Sequence, residues 1–477
     1  MDIKKISIIR PFILILTLTL LAGCQGGSEA TRPLSADNIN LIFVVSPDLA
    51  NDPFGDINST TANLNNQGLQ RSLLMGTFLK ERLLGTNNVT RISVLEPMTH
   101  LQTVNNYPDM AAIGFIQQFA LLNQITLIGT TANSFPLNTA YAQGSVPNGV
   151  VEPDPYIPAC QGLDFVDANG NNVALVTGII QANAPGFYVF SAPWETTDAL
   201  LANINSTQGY DLGLPTTYKG PNHVYVISIS PSRDASLLTF DSQLTPPATY
   251  PVLPAPVASS PCGRQIAFTH TRTKGVNGVV IPANSNTDQT VYLIRHAEAH
   301  PSNTFENGNY VGAGQWRSLA LPGALWGKIN PDLVYSIDPA QSFSYGRYSF
   351  SYVRPSLTVL PYVIANNLPY YLIASFYIGA ATDPTVAKAT SDFFFTGGHF
   401  SNQKLLVAWE HEHYPPLITA LLASYGGTDP APALPWPQND YDTIWTVTLD
   451  AQGNVTVDNA LCEGIDSASL PATAPQF

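Results

Sequence analysis

The sequence predicts an α/β fold: a three-layer sandwich with a largely parallel sheet, built from two related units. Three observations carry that prediction. Short apolar runs such as Asn40–Val45 and Val291–Ile294 read as strands buried on both faces. Stretches of helical periodicity alternate with them, as crossover connections between parallel strands require. Finally, Gly68-Leu69-Gln70-Arg71-Ser72-Leu73 parallels Gly314-Gln315-Trp316-Arg317-Ser318-Leu319, each a short loop beyond its unit's first apolar strand and each leading into a helical pattern. We read the match as an ancient duplication. A length of 477 residues, 45% hydrophobic and 11% charged, suits two buried cores rather than one and excludes global disorder. The net charge of −14 excludes general nucleic-acid binding, which needs a basic surface.

The elements follow in order. Lys4, Lys5 and Arg10 precede an apolar run from Phe12 to Leu21, too short to span a bilayer, so residues 1–23 read as a signal peptide. Its end, Leu21-Ala22-Gly23-Cys24, resembles the lipobox of bacterial lipoproteins. That resemblance implies lipidation at Cys24 and anchoring to a membrane through the lipid. Gln25 at the next position implies the outer membrane, facing periplasm or cell surface. Residues 24–38 read as a flexible tether.

The first unit, 39–243, starts with the strand at Asn40–Val45. A helix is expected over Asn66–Leu84, with Leu69, Leu73, Phe78 and Leu83 near one face. A strand over Val89–Leu95, a helix over Met110–Leu122 and a late strand over His223–Ile229 complete it. Between them, Asn138–Gly220 is rich in Asn, Gly, Pro and Thr and reads as an insertion or cap. A proline-rich linker follows over 244–288. The second unit, 289–477, has strands at Val291–Ile294, Leu333–Ser336, Leu405–Trp409 and Thr443–Leu449. Its helices are expected over Gln315–Ile329, Ser349–Asn366 and Pro416–Ser424. Beyond Cys24, the widely spaced Cys160, Cys262 and Cys462 suggest one disulfide and one odd thiol, with the pairing open.

Chemistry concentrates in the second unit. Leu293-Ile294-Arg295-His296-Ala297-Glu298 places an arginine and a histidine at the end of an apolar strand, where α/β proteins build their sites. Ser351-Tyr352-Val353-Arg354 precedes a helix with Thr358 on its next turn, and Val407-Ala408-Trp409-Glu410-His411 ends a later strand. These segments, in this order from Arg295 to His411, resemble the histidine phosphatase superfamily (phosphoglycerate mutase-like), with Ala297 standing where the family signature has glycine.

The resemblance implies His296 as nucleophile, with Arg295, Arg354 and His411 binding the phosphoryl group. It implies a small phosphorylated substrate, no metal and no organic cofactor. The chemistry agrees with it. A phosphoryl group in transfer spreads charge over three oxygens and needs several fixed donors. Guanidinium forks suit pairs of phosphate oxygens, and a neutral imidazole held at one nitrogen can attack with the other. Some relatives place an acid directly after the second histidine, which makes Glu412 the candidate proton donor, with Asp338 and Glu410 behind it. Ala374–Ala381, where other relatives carry a glutamate, has no acid.

Other readings attach to single residues. His411 and His413 alternate along one strand face and could chelate a cation, but no further ligand pair or metalloprotease spacing accompanies them. His413, His300 and His399 are expected at the pocket rim. In the first unit Ser46-Pro47 stands where the second has Arg295-His296. Ser228-Ile229-Ser230-Pro231 follows its late strand without a histidine, so this unit reads as degenerate. Asp48, Asp52 and Asp56 form a loose acidic loop. The expected activity is phosphomonoester hydrolysis through a phosphohistidine. The alternatives are a lipoprotein that binds phosphate or a phospho-ligand without turnover, and a structural envelope role suggested by the 39 prolines.

Overall fold

The computed structural model describes residues 33–51, 55–123, 137–139, 162–263, 266–302, 306–345, 348–373, 383–429 and 434–477. The signal peptide, Cys24, Asp52, Cys160, Ala374–Ala381 and part of the expected insertion lie outside them. The architecture is α/β, with two largely parallel sheets flanked by helices.

The first sheet contains β1 (Ile39–Val45), β2 (Arg91–Val94), β3 (Leu137–Thr139), β4 (Gly186–Ala192), β5 (His223–Ile229) and β6 (Ala235–Asp241). Its spatial order is β3-β2-β4-β1-β5-β6, parallel as far as β1 and antiparallel beyond it. After an edge strand β7 (Thr269–Arg272), the second sheet takes up β8 (Gln289–Arg295), β9 (Leu333–Ile337), β10 (Tyr370–Ile373), β11 (Lys404–Trp409), β12 (Thr443–Leu449) and β13 (Val455–Cys462). Its order is β10-β9-β11-β8-β12-β13-β7. Set β7 aside, and both sheets place their strands third, second, fourth, first, fifth, sixth, with the same parallel and antiparallel neighbours.

This order corrects the reading of Asn138–Gly220 as an insertion or cap. Its β4 is wholly buried, runs beside β1 in register from Ile39↔Gly186 to Val45↔Ala192, and completes the parallel core. The proline-rich stretch is not a free linker either: Tyr250, Leu253 and Val257 pack onto the core, and Thr269–Arg272 already belongs to the second sheet. The helix expected from Ser349 starts instead at Arg354, because Ser349–Ser351 pairs in a short ribbon with residues 342–344.

The helices are α1 (Asn66–Phe78), α2 (Ala111–Asn123), α3 (Asn171–Ala182), α4 (Trp194–Thr207), α5 (Gly312–Ala324), α6 (Arg354–Asn366), α7 (Pro384–Phe395) and α8 (Tyr414–Ser424). Along β4, Ser191 hydrogen-bonds the carbonyl of Ala112 in α2, while the preceding Phe190 stacks on Phe43. Phe43 pairs across the sheet with Tyr225, which meets Trp194 of α4. Adjacent strand residues face opposite ways, so α2 and α4 cover opposite faces of the first sheet.

Helices α1 and α2 then meet α5 and α6 between the two sheets. One apolar core runs from the first sheet through these four helices to Ile294, Leu406 and Ala408 of the second. Gln117 and Asn309 exchange amide hydrogen bonds of 2.9 Å across the seam, and an added Cβ on Gly114 would lie 3.0 Å from Leu360. A separate core fills the outer face of the second sheet, from Leu293, Val407 and Trp409 to α7 and α8. Cys262 and Cys462 form a disulfide that ties the linker to the end of β13.

Candidate active site

Strands β8 and β11 are neighbours in register, Arg295 opposite Trp409, so the residues that follow them emerge side by side. The His296 amide continues the ladder, donating to the carbonyl of Trp409 at 3.0 Å. Helix α6 is tied to the same strand end by Thr358, whose hydroxyl donates to the Arg354 carbonyl at 2.8 Å and accepts from the Ala297 amide at 2.8 Å. Pro355 suits the first turn of α6, where its missing amide hydrogen costs nothing. Thus Arg295, His296, Arg354 and His411 come together in one buried cluster, each 5% exposed or less.

The imidazole of His296 is fixed at both nitrogens. Nδ1 lies 2.7 Å from the carbonyl of Ala297, which can only accept, so Nδ1 bears the hydrogen. Nε2 lies 3.0 Å from Oε2 of Glu410. Burial, joined by the positive fields of Arg354 and Arg295, holds His296 below its ordinary 6.5 against the opposing pull of Glu410. His411 places Nδ1 2.8 Å from the other oxygen, Oε1, of Glu410. The Tyr352 hydroxyl also donates to Oε2 of Glu410.

The guanidinium of Arg354 stands 4.9 Å over the Tyr352 ring and donates to Glu306 at 3.0 Å. That of Arg295 lies 3.9 Å over the Tyr441 ring and donates to the Gln438 carbonyl. The Nε–H groups of both arginines are buried and have no acceptor among the described residues. Two such donors beside a histidine Nε2 make a seat for an anion.

His296, Glu410 and His411 bring one ligand atom each within 4.8 Å of one another, a grouping that could hold a metal ion. Two guanidiniums at the same place raise the electrostatic cost of a cation and lower that of a phosphate. His413, the other member of the possible chelate, instead stacks on Trp409 with ring centres 4.2 Å apart.

Glu412 is exposed, and the carboxylate that touches His296 is that of Glu410. Asp338 is wholly buried and accepts from the Ala340 amide at 2.9 Å. His300 turns back onto Ser302, and His399 lines a separate 300 Å³ aromatic cavity with Tyr335, Tyr371, Phe393 and Phe400. The acidic loop of the first unit divides: Asp56 pairs with Arg71, while Asp48 caps Ala50 and lies 4.0 Å from His100. Sequence reading missed Glu306, Tyr352 and Tyr441. The first lies in an unpatterned loop and the rings look like ordinary core residues, so none carried a signal of its own.

No family model and no curated protein matches the chain. Among solved structures it is similar to the phosphoserine phosphatase of Entamoeba histolytica in complex with 3-phosphoglyceric acid, at 13% identity and a TM-score of 0.24, covering 37% of this chain and 100% of that one. It is also similar to SixA of Agrobacterium tumefaciens, assigned as a phosphohistidine phosphatase, at 15% identity and a TM-score of 0.21, covering 33% of this chain and 90% of that one. A His-to-Ala mutant of the same E. histolytica enzyme with phosphoserine gives 14% identity and a TM-score of 0.22, covering 36% and 97%. These neighbours are phosphatases; likeness at this level carries no argument about the chemistry of the present pocket.

Proposed function

We propose that the chain hydrolyses phosphomonoesters through a phosphohistidine at His296. The observation that carries this reading is the pairing of an imidazole locked by Ala297 at Nδ1 with two buried guanidiniums whose Nε–H groups have no acceptor among the described residues. Nε2 would attack phosphorus, while Arg295, Arg354 and His411 hold the oxygens on which charge accumulates. The lipobox-like segment ending at Cys24 would place this activity at a membrane of the cell envelope, with the pocket facing out of the cytoplasm.

Hydrolysis of 4-nitrophenyl phosphate by the protein, with His296→Ala as control, tests the reading. Turnover that disappears in the variant, together with an acid-labile phosphoryl adduct trapped on His296, supports it. A second reading, retention of phosphate without turnover, is favoured by the carboxylate of Glu410 standing directly against Nε2. Phosphate binding with no turnover and no adduct would decide for it.

A further inference from the structure

The place of Glu410 is the part of the pocket that phosphate chemistry leaves unexplained. Its carboxyl bridges His296 Nε2 at 3.0 Å and His411 Nδ1 at 2.8 Å, and accepts from the Tyr352 hydroxyl. Because Nδ1 of His296 already bears a hydrogen toward Ala297, Nε2 and Oε2 would be two bare acceptors at 3.0 Å unless a further proton lies between them. In this arrangement the pair therefore shares one proton. A nucleophilic imidazole must lose that proton before it can attack, and a leaving alkoxide must gain one.

We propose that Glu410 is the proton donor to the leaving oxygen, and that before an ester binds its carboxyl occupies the seat the phosphoryl group takes. The proposal rests on the phosphatase reading of this site. An incoming phosphate ester is itself an anion and displaces the carboxylate from His411 and from Nε2 of His296. Glu410 leaves with the shared proton, and its affinity for it rises once those positive neighbours are neutralised by phosphate oxygens.

In the first step Nε2 forms a bond to phosphorus as the P–O bond breaks. The electron pair of that bond stays on the leaving oxygen, which takes the proton of Glu410. The products are the alcohol, a phosphohistidine and an ionised Glu410. In the second step water attacks phosphorus and gives a proton to Glu410. The N–P pair returns to Nε2, and inorganic phosphate departs. The other two candidates fit less well: Glu412 is exposed, and Asp338 is wholly buried on Ala340.

The test compares Glu410→Gln with the wild-type full chain on two esters. 4-Nitrophenolate leaves without a proton, whereas the alkoxide of glycerol 2-phosphate needs one. The variant is expected to keep its rate on the aryl ester within about tenfold and to lose roughly 10²–10⁴-fold on the alkyl ester. Inorganic phosphate should inhibit the variant more strongly, because a neutral amide does not compete for the anion seat. Glu410→Asp, which keeps an acid on a shorter arm, should hydrolyse the alkyl ester faster than Glu410→Gln. Equal losses on both esters, or none on either, would overturn the proposal while leaving the phosphohistidine reading intact. A wild-type protein inactive on both esters would overturn that reading and the proposal with it.

Discussion

Ser46 occupies in the first sheet the position that His296 occupies in the second: the amide of Ser46 donates to the Ala192 carbonyl at 3.0 Å, as the amide of His296 donates to that of Trp409. The correspondence continues outward. Pro193-Trp194 follows β4 where Glu410-His411 follows β11, and α2 begins at Ala111 where α6 begins at Arg354. The first unit thus has neither the histidines nor the arginines of the second at the matching strand ends and helix start. Ser46→Ala is expected to leave phosphate ester hydrolysis within twofold of wild type, as read by steady-state kcat/KM. A large loss would mean that the first unit takes part in the chemistry.

Acid conditions should favour turnover. The proton shared by His296 and Glu410 is present below the His296 pKa and lost above it, and burial with Arg354 and Arg295 holds that value below 6.5. The groups facing the pair are Arg295, Arg354, His411, Tyr352, Tyr441 and Glu306. Burial raises Glu410, but His296, the hydrogen bonds from His296 and His411, and Arg354 outweigh it and hold Glu410 well below its ordinary 4.5. We expect kcat/KM on an alkyl phosphate, corrected for the substrate's own ionisation, to fall with a limb below pH 6.5. A limb above neutrality would contradict this account.

Two buried carboxyls predict a second pH effect, on stability, that runs in the same direction. Glu96 follows β2 and Asp338 follows β9, matching places in the two sheets, and both are wholly buried. Burial raises Asp338 from 3.8 to about 7, and burial with the field of Asp338 raises Glu96. An acid whose folded value is raised stabilises the fold fully only below its unfolded value, and that stability drains as pH climbs through the folded value. Asp338→Asn should therefore stabilise the protein at pH 8 by a few kcal/mol and flatten its pH dependence between roughly pH 4 and 8, measured as Tm.

The repeated Arg-Ser-Leu segments predict the costliest single substitution. Arg317 is wholly buried, donating to Glu298 at 2.8 Å, to Ser467 at 2.7 Å and to Glu463. Its counterpart Arg71 pairs with Asp56 at 3.1 Å. Arg317→Leu strands the buried carboxyls of Glu298 and Glu463, and a loss of about 3–5 kcal/mol is expected in urea unfolding. Glu463→Gln introduced in the same chain should recover part of it.

Much of the fold was legible because buried parallel strands announce themselves: β1, β5, β8 and β11 are apolar runs that periodicity finds within a residue or two. β4 was missed although it is equally buried, because Pro185-Gly186 and Pro193 around it made Phe187–Ala192 look like loop sequence. That miss shifted the matching of late strands: His223–Ile229 runs antiparallel beside β1, whereas β4 is the true partner of β11. At the site, Arg295, His296, Arg354 and His411 were readable because strand ends and a helix start fix their direction. Glu410 was underrated, since residue order alone does not tell which of two neighbouring glutamates turns inward. The similarity of Gly68 and Gly314 was visible in sequence, but its reason was not: a Cβ there would press on the carbonyl of Asp56 at 2.2 Å or of Glu298 at 3.0 Å.

The helical layer between the sheets bears on what heredity can alter. Ser46, at a strand end of the first unit, is buried but lies away from the helical seam, so a change of side chain there leaves the seam as it is. Positions on α1 and α2 that press on α5 and α6 have less latitude: a methyl group on Gly114 would crowd Leu360 at 3.0 Å, and Gln117 answers to Asn309. A gene encoding only residues 289–477 would leave the inward sides of α5 and α6 bare and would yield an insoluble product. The first half thus serves as the inner wall of the second, whatever its own crevice holds.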